Sequence, residues 1–326
     1  MVARITRLLL LFQLLAAAAF AAAAMPLLHL DNALLAGLLG LGLVVMARLV
    51  ITGNNFLLAS RTRSKLPMQH RIGLWQGLRL FLGEYRATMT ASSWTMPFRT
   101  FSTRIPARSQ GLPVLLVHGY GCNSGYWHSM SLALEKAKIA HHAIDLEPVI
   151  GGIDEYSPLI HDAIETLCKE TGRDKVVIVA HSMGGLASRA YLRDHGSGHV
   201  ARLITLGTPH HGTALAHFGV GLNTEQMRWT ATEQEGLASE WLRTLKAGEN
   251  PSIYHLIVSI YSHHDNIISP QTSSHLEGAK NIELSGIGHV ALGFDPDVQA
   301  MVIREVRDAS ARVAQPLPAH AALKPA

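Results

Sequence analysis

The sequence predicts an α/β protein with a mostly parallel sheet and helices on both faces, preceded by a transmembrane helical hairpin. From Leu112 onward, short continuous apolar runs alternate with helical stretches, which is typical of parallel strands that are buried on both faces. Before residue 54, two apolar runs each approach the ~20 residues that a helix needs to cross a ~30 Å hydrocarbon core. The 326 residues suit one α/β domain with an N-terminal addition.

The first apolar run extends from Leu8 to Leu28 and the second from Ala33 to Ile51, with a short polar link between them. Alanine and glycine recur in both runs, which would let two helices pack closely. The simplest interpretation is a two-helix transmembrane anchor over residues 1–53. A cleavable signal peptide is the alternative, because Arg4 and Arg7 precede an apolar core and A-x-A-like sites.

Basic residues lie at the end of the second run and after it, and they indicate its orientation. Glu84 is the only acidic residue among them, and such an excess favours the cytoplasmic side of a membrane. If the second segment spans the membrane, the rest of the chain is cytoplasmic, whether or not the first segment is cleaved. A second segment lying flat on the membrane would reverse this. The basic residues are Arg48, Arg61, Arg63, Lys65, Arg71, Arg79 and Arg86.

Residues 54–110 are expected to form a basic juxtamembrane region with an amphipathic helix and a linker. In the helix, large apolar residues from Leu74 to Tyr85 mix with arginines. That pattern is typical of a helix at the bilayer surface. A helix packed on the following domain is the alternative.

Composition argues against nucleic acid and metal as partners. The net charge is +4, but the basic residues crowd beside the apolar runs and are not interleaved with stacking aromatics. Cys122 and Cys168 have no CxxC spacing, and we expect reduced thiols. Histidine is frequent, at 19 residues, yet no HExxH arrangement occurs. We therefore predict no metal and no organic cofactor.

The α/β domain is assigned to residues 111–312, with an apolar cap or lid at about 213–251 and a disordered tail at 313–326. Ligands of parallel sheets bind at the carboxyl ends of the strands, so residues that follow each strand are candidates for a site. The predicted strands are Pro113–Val117, Ala140–Leu146, Lys175–Ala180, Val200–Leu206, His255–Tyr261 and Asn281–Leu284. The predicted helices are Tyr126–Ala137, Tyr156–Thr171, Met183–His195 and Asp295–Ala311.

The strongest motif is Ala180–His181–Ser182–Met183–Gly184–Gly185, between a predicted strand and a predicted helix. A serine there, with small residues two positions before and after it, describes a nucleophile elbow. Larger side chains at 180 and 184 would collide with neighbouring backbone, and Ala180 stands where glycine is more usual. The turn raises the Ser182 hydroxyl above the sheet edge at a helix N-terminus, which favours developing negative charge.

A second motif, His118–Gly119–Tyr120–Gly121, follows the first predicted strand of the domain. A loop of this kind can direct a backbone N–H towards the elbow. We expect the amides of Tyr120 and Met183 to form an oxyanion hole, which would stabilise the charge of a tetrahedral intermediate. His118 is expected to orient this loop.

Candidates for an acid and a base follow the last two predicted strands. Asp265 can hold an imidazole in the tautomer that base catalysis requires, and His289 can take the proton of Ser182. His263 and His264 are rivals for the base. The chain order Ser, Asp, His favours His289, because the rivals precede the acid.

These segments resemble blocks of the α/β-hydrolase superfamily, and more narrowly of its bacterial lipases and esterases. The resemblance covers residues 112–312, and the elbow and histidine blocks are its most specific parts. It implies a serine that attacks an ester carbonyl, an acyl-enzyme, and water that releases the acid. No acidic cluster matches the calcium site of some such lipases. The blocks are VLLVHGYGCNSGYW, VVIVAHSMGGLASRAYL, LITLGTPHHGT, SHHDNIISP and SGIGHVAL.

The resulting hypothesis is a carboxylic ester hydrolase in a bacterial inner membrane, with an ester or lipid substrate and its catalytic domain on the cytoplasmic side. The cap would either open at an interface or form a rigid wall of a small pocket. An acyltransferase with the same triad and an inactive binding module are the alternatives. Acyl length, head group and oligomeric state depend on side chains from distant segments, which the sequence does not reveal.

Overall fold

The computed structural model describes residues 1–230 and 239–314. The α-helices in these ranges are α1 Val2–Leu27, α2 Ala33–Ser60, α3 Leu74–Thr90, α4 Met96–Phe98, α5 His128–Lys136, α6 Tyr156–Thr171, α7 Met183–His195, α8 Leu222–Gln226, α9 Glu240–Gly248 and α10 Pro296–Ala314. The strands are β1 Thr103–Arg104, β2 Val114–Val117, β3 His141–Ile144, β4 Val176–His181, β5 Val200–Leu206, β6 Ile257–Ser262 and β7 Lys280–Leu284.

The seven strands form one sheet in the order β1-β3-β2-β4-β5-β6-β7. Only the short edge strand β1 pairs antiparallel, and the other neighbours are parallel. The predicted mainly parallel sheet is therefore confirmed. The six predicted strands are β2 to β7, with ends that agree within two residues.

Helices cover both faces of the sheet, as the continuous apolar strands require. Leu115 and Val117 of β2 pack in a core layer with α6 and α7, whereas Val114 and Leu116 pack in a second layer with α5 and α10. Successive side chains of a strand point to opposite faces, so a strand covered on both sides must be apolar throughout. Each fully buried side chain of this size contributes about 1.5–3 kcal/mol.

In the α/β domain, two helix boundaries differ from the prediction by two or more residues. The helix predicted from Tyr126 begins as a 3₁₀ turn at Ser124–Trp127, where Asn123 Oδ1 accepts the N–H of Gly125, and the α-helix starts only at His128. The last helix of the domain, α10, continues past the predicted end at Ala311 to Ala314. The first two residues of the predicted disordered tail are thus helical, and residues 315–326 lie outside the described residues.

The first two helices form an antiparallel pair, each long and apolar enough to cross a membrane. They pack closely at Gly40, where a side chain would overlap the carbonyl oxygen of Ala17. Most of their large apolar side chains face outward and are exposed. Both ends of the pair contact the α/β domain: the Met1 amino group pairs with Glu147, and Ala59 O accepts from Ser269 Oγ at 2.7 Å.

The amphipathic helix α3 has one face packed on the α/β domain and an apolar face exposed. Leu80, Glu84 and Ala87 are buried, at the i, i+4, i+7 spacing of one helix face. On the opposite face Trp75 is 75% exposed, and Leu78 and Leu82 are also exposed. One face of α3 therefore packs on the domain, as one of the two interpretations predicted. The other face is apolar and exposed, which is typical of a helix at a bilayer surface.

Candidate active site

Ser182 lies in a strained turn between β4 and α7. Its backbone has φ +55° and ψ −128°, a conformation that costs a non-glycine residue about 1–3 kcal/mol and persists only where the surroundings enforce it. Ser182 N donates to Leu206 O at 2.9 Å, and Ser182 O accepts from Thr208 Oγ1 at 2.9 Å. The turn has the strand–turn–helix geometry that the sequence predicts for a nucleophile elbow.

Glycine is required after Ser182 and in the facing loop after β2, because other parts of the chain lie against both positions. A Cβ at Gly184 would lie 2.5 Å from the carbonyl oxygens of Val117 and His118. A Cβ at Gly119 would lie 2.8 Å from the Cβ of Ser182. The loop after β2 therefore lies directly on the elbow, as the prediction of an oxyanion hole requires.

Replacing Gly184 by alanine is expected to destabilise the fold by about 2 kcal/mol, because the methyl group meets backbone that cannot move aside. The measurement is the thermal unfolding midpoint in detergent. Gly83→Ala is the control, since nothing lies within 4 Å of a Cβ there, and alanine should stabilise a helix interior by up to about 1 kcal/mol. Equal midpoints for the two variants would contradict the packing argument.

Asp265 and His289 form a buried hydrogen-bonded pair. His289 Nδ1 donates to Asp265 Oδ2 at 2.8 Å, and Asp265 Oδ1 accepts the N–H groups of Ile267 and Ile268 at 2.8 and 2.7 Å. The backbone of His289 is fixed in turn by Asn266 Oδ1, which accepts its N–H at 3.0 Å. With Nδ1 occupied by the carboxylate, Nε2 is the nitrogen left to act as a base.

The structure brings this pair to the same strand ends as Ser182. His181 Nε2 donates to His289 O at 3.1 Å, and their ring centroids are 4.5 Å apart. A Cβ at Gly207, next to the Leu206 that bonds Ser182, would lie 3.1 Å from Asp265 Oδ2. Among the contacts of the described residues no hydrogen bond joins Ser182 Oγ to His289, and such catalytic bonds often tighten only when substrate binds.

Opposing effects set the pKa of His289. Burial lowers it, whereas the charge of Asp265, the hydrogen bond to Asp265 and the charge of Glu84 raise it. The net result is a pKa above that of an ordinary histidine. The pair therefore stabilises an imidazolium, which is the form that a base becomes after taking a proton.

The rival histidines are engaged elsewhere. His263 Nε2 donates to Glu283 Oε2 at 2.9 Å, and His264 Nδ1 accepts the N–H of Gly286 at 3.1 Å. Burial, the charge of Arg63 and the two nearby histidines lower the pKa of His264 to about 4. In the described part of the chain, His289 is the histidine that bonds the Asp265 carboxylate.

The two amides predicted for the oxyanion hole belong to the residues that directly follow Ser182 and Gly119, two residues that lie against each other. Met183 is the first residue of α7, and Tyr120 follows the Gly119 that touches Ser182. Within the described ranges neither N–H donates to a protein acceptor. His118 orients the loop through its ring, since Nδ1 donates to Gly119 O at 2.9 Å and Nε2 accepts from Leu146 N at 3.0 Å.

Comparison with known proteins agrees with the fold. Residues 113–228 match the alpha/beta hydrolase fold family. The mature lipase BlEst2 of Bacillus licheniformis superposes with a TM-score of 0.54 at 18% identity, over 63% of this chain and 96% of that chain. Lipase B of Aspergillus fumigatus superposes with a TM-score of 0.50 at 20% identity, over 62% of this chain and 55% of that chain. The chain has the α/β-hydrolase fold.

Glu84 lies beside the candidate base, and the sequence did not single it out. It projects from α3, is only 1% exposed, and accepts the N–H groups of Val290 and Ala291 at 3.1 and 2.9 Å. Burial raises its pKa, and the two hydrogen bonds and the charge of His289 oppose that rise. Its only sequence signal is that it is the single acid among the basic residues after the apolar runs.

Replacing Glu84 by glutamine is expected to move the acid limb of the kcat/KM pH profile to lower pH. His289 must be neutral to act as a base, and losing the Glu84 charge lowers its pKa, so the neutral form persists further into acid. Losing one backbone hydrogen bond should also lower turnover about tenfold. Glu165→Gln, an exposed acid on α6, is the control. If the acid limb of the pH profile has the same midpoint in Glu84→Gln as in the wild type, Glu84 serves only in packing.

A cavity of about 340 Å³ opens beside Ser182 and Tyr120. Its walls are mainly apolar and come from the segment after β5, the loop after Asp265 and the end of α2. Residues 213–230 of the predicted cap supply part of the wall, and residues 231–238 lie outside the described residues. The other lining residues are Asn55, Leu58, Pro209, Thr213, Leu215, Ala216, Phe218, Gly219, Thr224, Met227, Ile267 and Ile268.

One cluster has the composition of a metal site. The ligand atoms of His70, His263 and Glu283 lie within 4.8 Å of one another, and three such ligands match the count in catalytic zinc sites. Here Glu283 Oε2 lies 2.9 Å from His263 Nε2 and 3.2 Å from His70 Nε2. These contacts account for the arrangement without an ion, so the cluster does not alter the prediction of no metal.

Proposed function

We propose that the chain is a membrane-anchored serine hydrolase that cleaves carboxylic esters, with Ser182, His289 and Asp265 as its triad. The observation that carries the proposal is the buried Asp265–His289 pair at the strand ends where Ser182 occupies a strained elbow. Nucleophile, base and orienting acid are thus drawn from three separate loops. Such a constellation is recognised by geometry and chain order.

The reaction proceeds in two acyl transfers. Ser182 Oγ attacks the ester carbonyl while its proton passes to His289 Nε2, and the Tyr120 and Met183 amides stabilise the oxyanion. The tetrahedral intermediate collapses, the proton goes to the leaving alcohol, and an acyl-enzyme remains. Water then attacks the acyl carbon, gives its proton to His289 and releases the acid, and the proton returns to Ser182.

The apolar cavity supports an ester with an apolar acyl chain as substrate. Each methylene moved from water into such a cavity gains about 0.8 kcal/mol. The value of kcat/KM should therefore rise about fourfold per methylene until the cavity is full. Two proteins that share the fold are named lipases, which agrees with this substrate class.

The two N-terminal helices support membrane anchoring. Both ends of the pair contact the α/β domain, through Met1 and Ala59, so a hairpin that crosses the membrane and returns leaves its ends on the domain side. Basic residues on both flanks favour the cytoplasmic side. We accordingly place residues 1–53 in a bacterial inner membrane, residues 54–110 at its surface and residues 111–312 in the cytoplasm.

A fluorophosphonate probe and a series of p-nitrophenyl esters test this function. Covalent labelling of the intact protein, together with ester hydrolysis, is the expected result. Product analysis with a labelled acyl donor and an added alcohol separates hydrolysis from acyl transfer to the alcohol. A protein that neither labels nor turns over any ester of the series is not a serine hydrolase.

A further inference from the structure

The end of α2 packs against the α/β domain. The helix continues beyond the apolar run that ends at Ile51 and reaches Ser60. Ala59 is buried and its carbonyl accepts from Ser269 Oγ. Just after the helix, Ser64 N donates to Gln271 Oε1 at 3.2 Å, and Gln271 Nε2 donates to Asp265 O at 2.9 Å. A membrane-length helix is thereby attached to the loop that carries the triad acid.

The same helix end forms a wall of the cavity beside Ser182. Asn55 and Leu58 line the cavity, and their i, i+3 spacing places both on one face of α2. The adjacent Leu57 points away and is 57% exposed. No gap in secondary structure separates this wall from the apolar run, because α2 is one continuous helix from Ala33 to Ser60.

Exposed apolar side chains lie near the same cavity. Phe218, which lines it, is 69% exposed, and Val220 is 70% exposed. Tyr120 Oη donates to Val220 O at 2.8 Å and accepts its N–H at 3.2 Å, so this rim is tied to the loop of the proposed oxyanion hole. Large exposed apolar groups beside a membrane-length helix mark a surface that lipid covers.

When a long acyl chain passes from the bilayer into water, its equilibrium concentration in water falls about fourfold for every methylene exposed. A chain that slides along α2 exchanges hydrocarbon for an apolar wall and avoids that loss. We infer that the last turns of α2 form the acyl-binding wall, so that a long-chain ester dissolved in the bilayer reaches Ser182 laterally along this helix. The inference rests on the proposed ester hydrolysis at Ser182.

The role of this wall is tested with Leu58→Trp, whose larger side chain fills the cavity. Leu57→Trp is the matched control, because Leu57 is the neighbouring residue and faces outward. Both full-length variants are reconstituted in phosphatidylcholine vesicles. The measured quantity is the ratio of kcat/KM for a long-chain ester to that for p-nitrophenyl acetate. Leu58→Trp should lower this ratio at least tenfold, whereas Leu57→Trp leaves it unchanged. Leu58→Ala enlarges the cavity and should move the preference towards longer or bulkier chains.

Fluorophosphonate labelling of each variant reports whether the site is folded. A ratio that is the same in labelled Leu58→Trp, Leu58→Ala and Leu57→Trp overturns the inference and leaves the proposed hydrolase intact. Wild-type protein without labelling or ester turnover refutes the proposed function itself.

The lateral route is tested by surface dilution. Vesicles that hold the enzyme and a long-chain ester are prepared with increasing phosphatidylcholine at constant bulk ester concentration. If the ester arrives through the bilayer, the rate falls in proportion to its mole fraction in the membrane. A rate that follows only the bulk concentration means that the ester enters from water, and lateral arrival is then wrong.

Discussion

Replacing Ser182 by alanine is expected to lower kcat/KM for p-nitrophenyl esters by about 10⁴–10⁶-fold, because the acyl-enzyme can no longer form. Ser182 is nine-tenths buried, in a turn enforced by Leu206 and Thr208. Alanine adopts the same backbone and removes only the hydroxyl. Stability should therefore change little while fluorophosphonate labelling disappears. The residual rate would come from binding and the oxyanion hole.

Ser188→Ala is the matched control for this variant. Ser188 is another buried serine of the helix that follows the elbow, and its hydroxyl donates to Gly184 O at 2.7 Å. Its loss should change kcat/KM less than tenfold and leave labelling in place. Comparable activity in Ser182→Ala and Ser188→Ala would show that the nucleophile lies elsewhere.

Replacing His289 by alanine is expected to cause a loss of similar size, about 10⁴–10⁶-fold, because Ser182 then has no base and the leaving alcohol no proton donor. Asp265→Asn should cost somewhat less, about 10⁴-fold, since it disturbs the tautomer and leaves the imidazole present. The measurement is kcat/KM over a range of pH. Wild-type activity should rise with pH through a pKa above that of an ordinary histidine, because only neutral His289 accepts a proton.

Replacing His264 by alanine decides whether His264 or His289 is the base. His264 receives the N–H of Gly286, and its pKa of about 4 leaves it neutral over the working range. We expect a change of less than tenfold and the same pH midpoint as wild type. If His264→Ala is as inactive as His289→Ala, the assignment of the base is wrong.

Helices of the N-terminal region contact the loops that carry the proposed triad. Glu84 of α3 accepts the two N–H groups that follow His289, while the end of α2 bonds Ser269 in the loop that follows Asp265. Two loops of the proposed triad are thus supported by helices that carry exposed apolar faces.

Features that depend on a few adjacent residues could be predicted from the sequence. The elbow at Ser182 is of this kind, because its small flanking residues and its place between strand and helix are encoded within six positions. The parallel sheet is another, because strands buried on both faces must be apolar throughout. The order of Ser182, Asp265 and His289 along the chain then limits which residues can share a cleft.

The tertiary structure alone decided which distant groups surround that cleft. By itself the sequence determined an α/β sheet, an elbow and two apolar segments, because each is a local pattern of side-chain size and polarity. It did not reveal that Glu84 reaches the loop of His289 or that Leu58 lines the cavity of Ser182. Those contacts join residues more than a hundred positions apart, and they depend on how α2 and α3 pack against the finished domain.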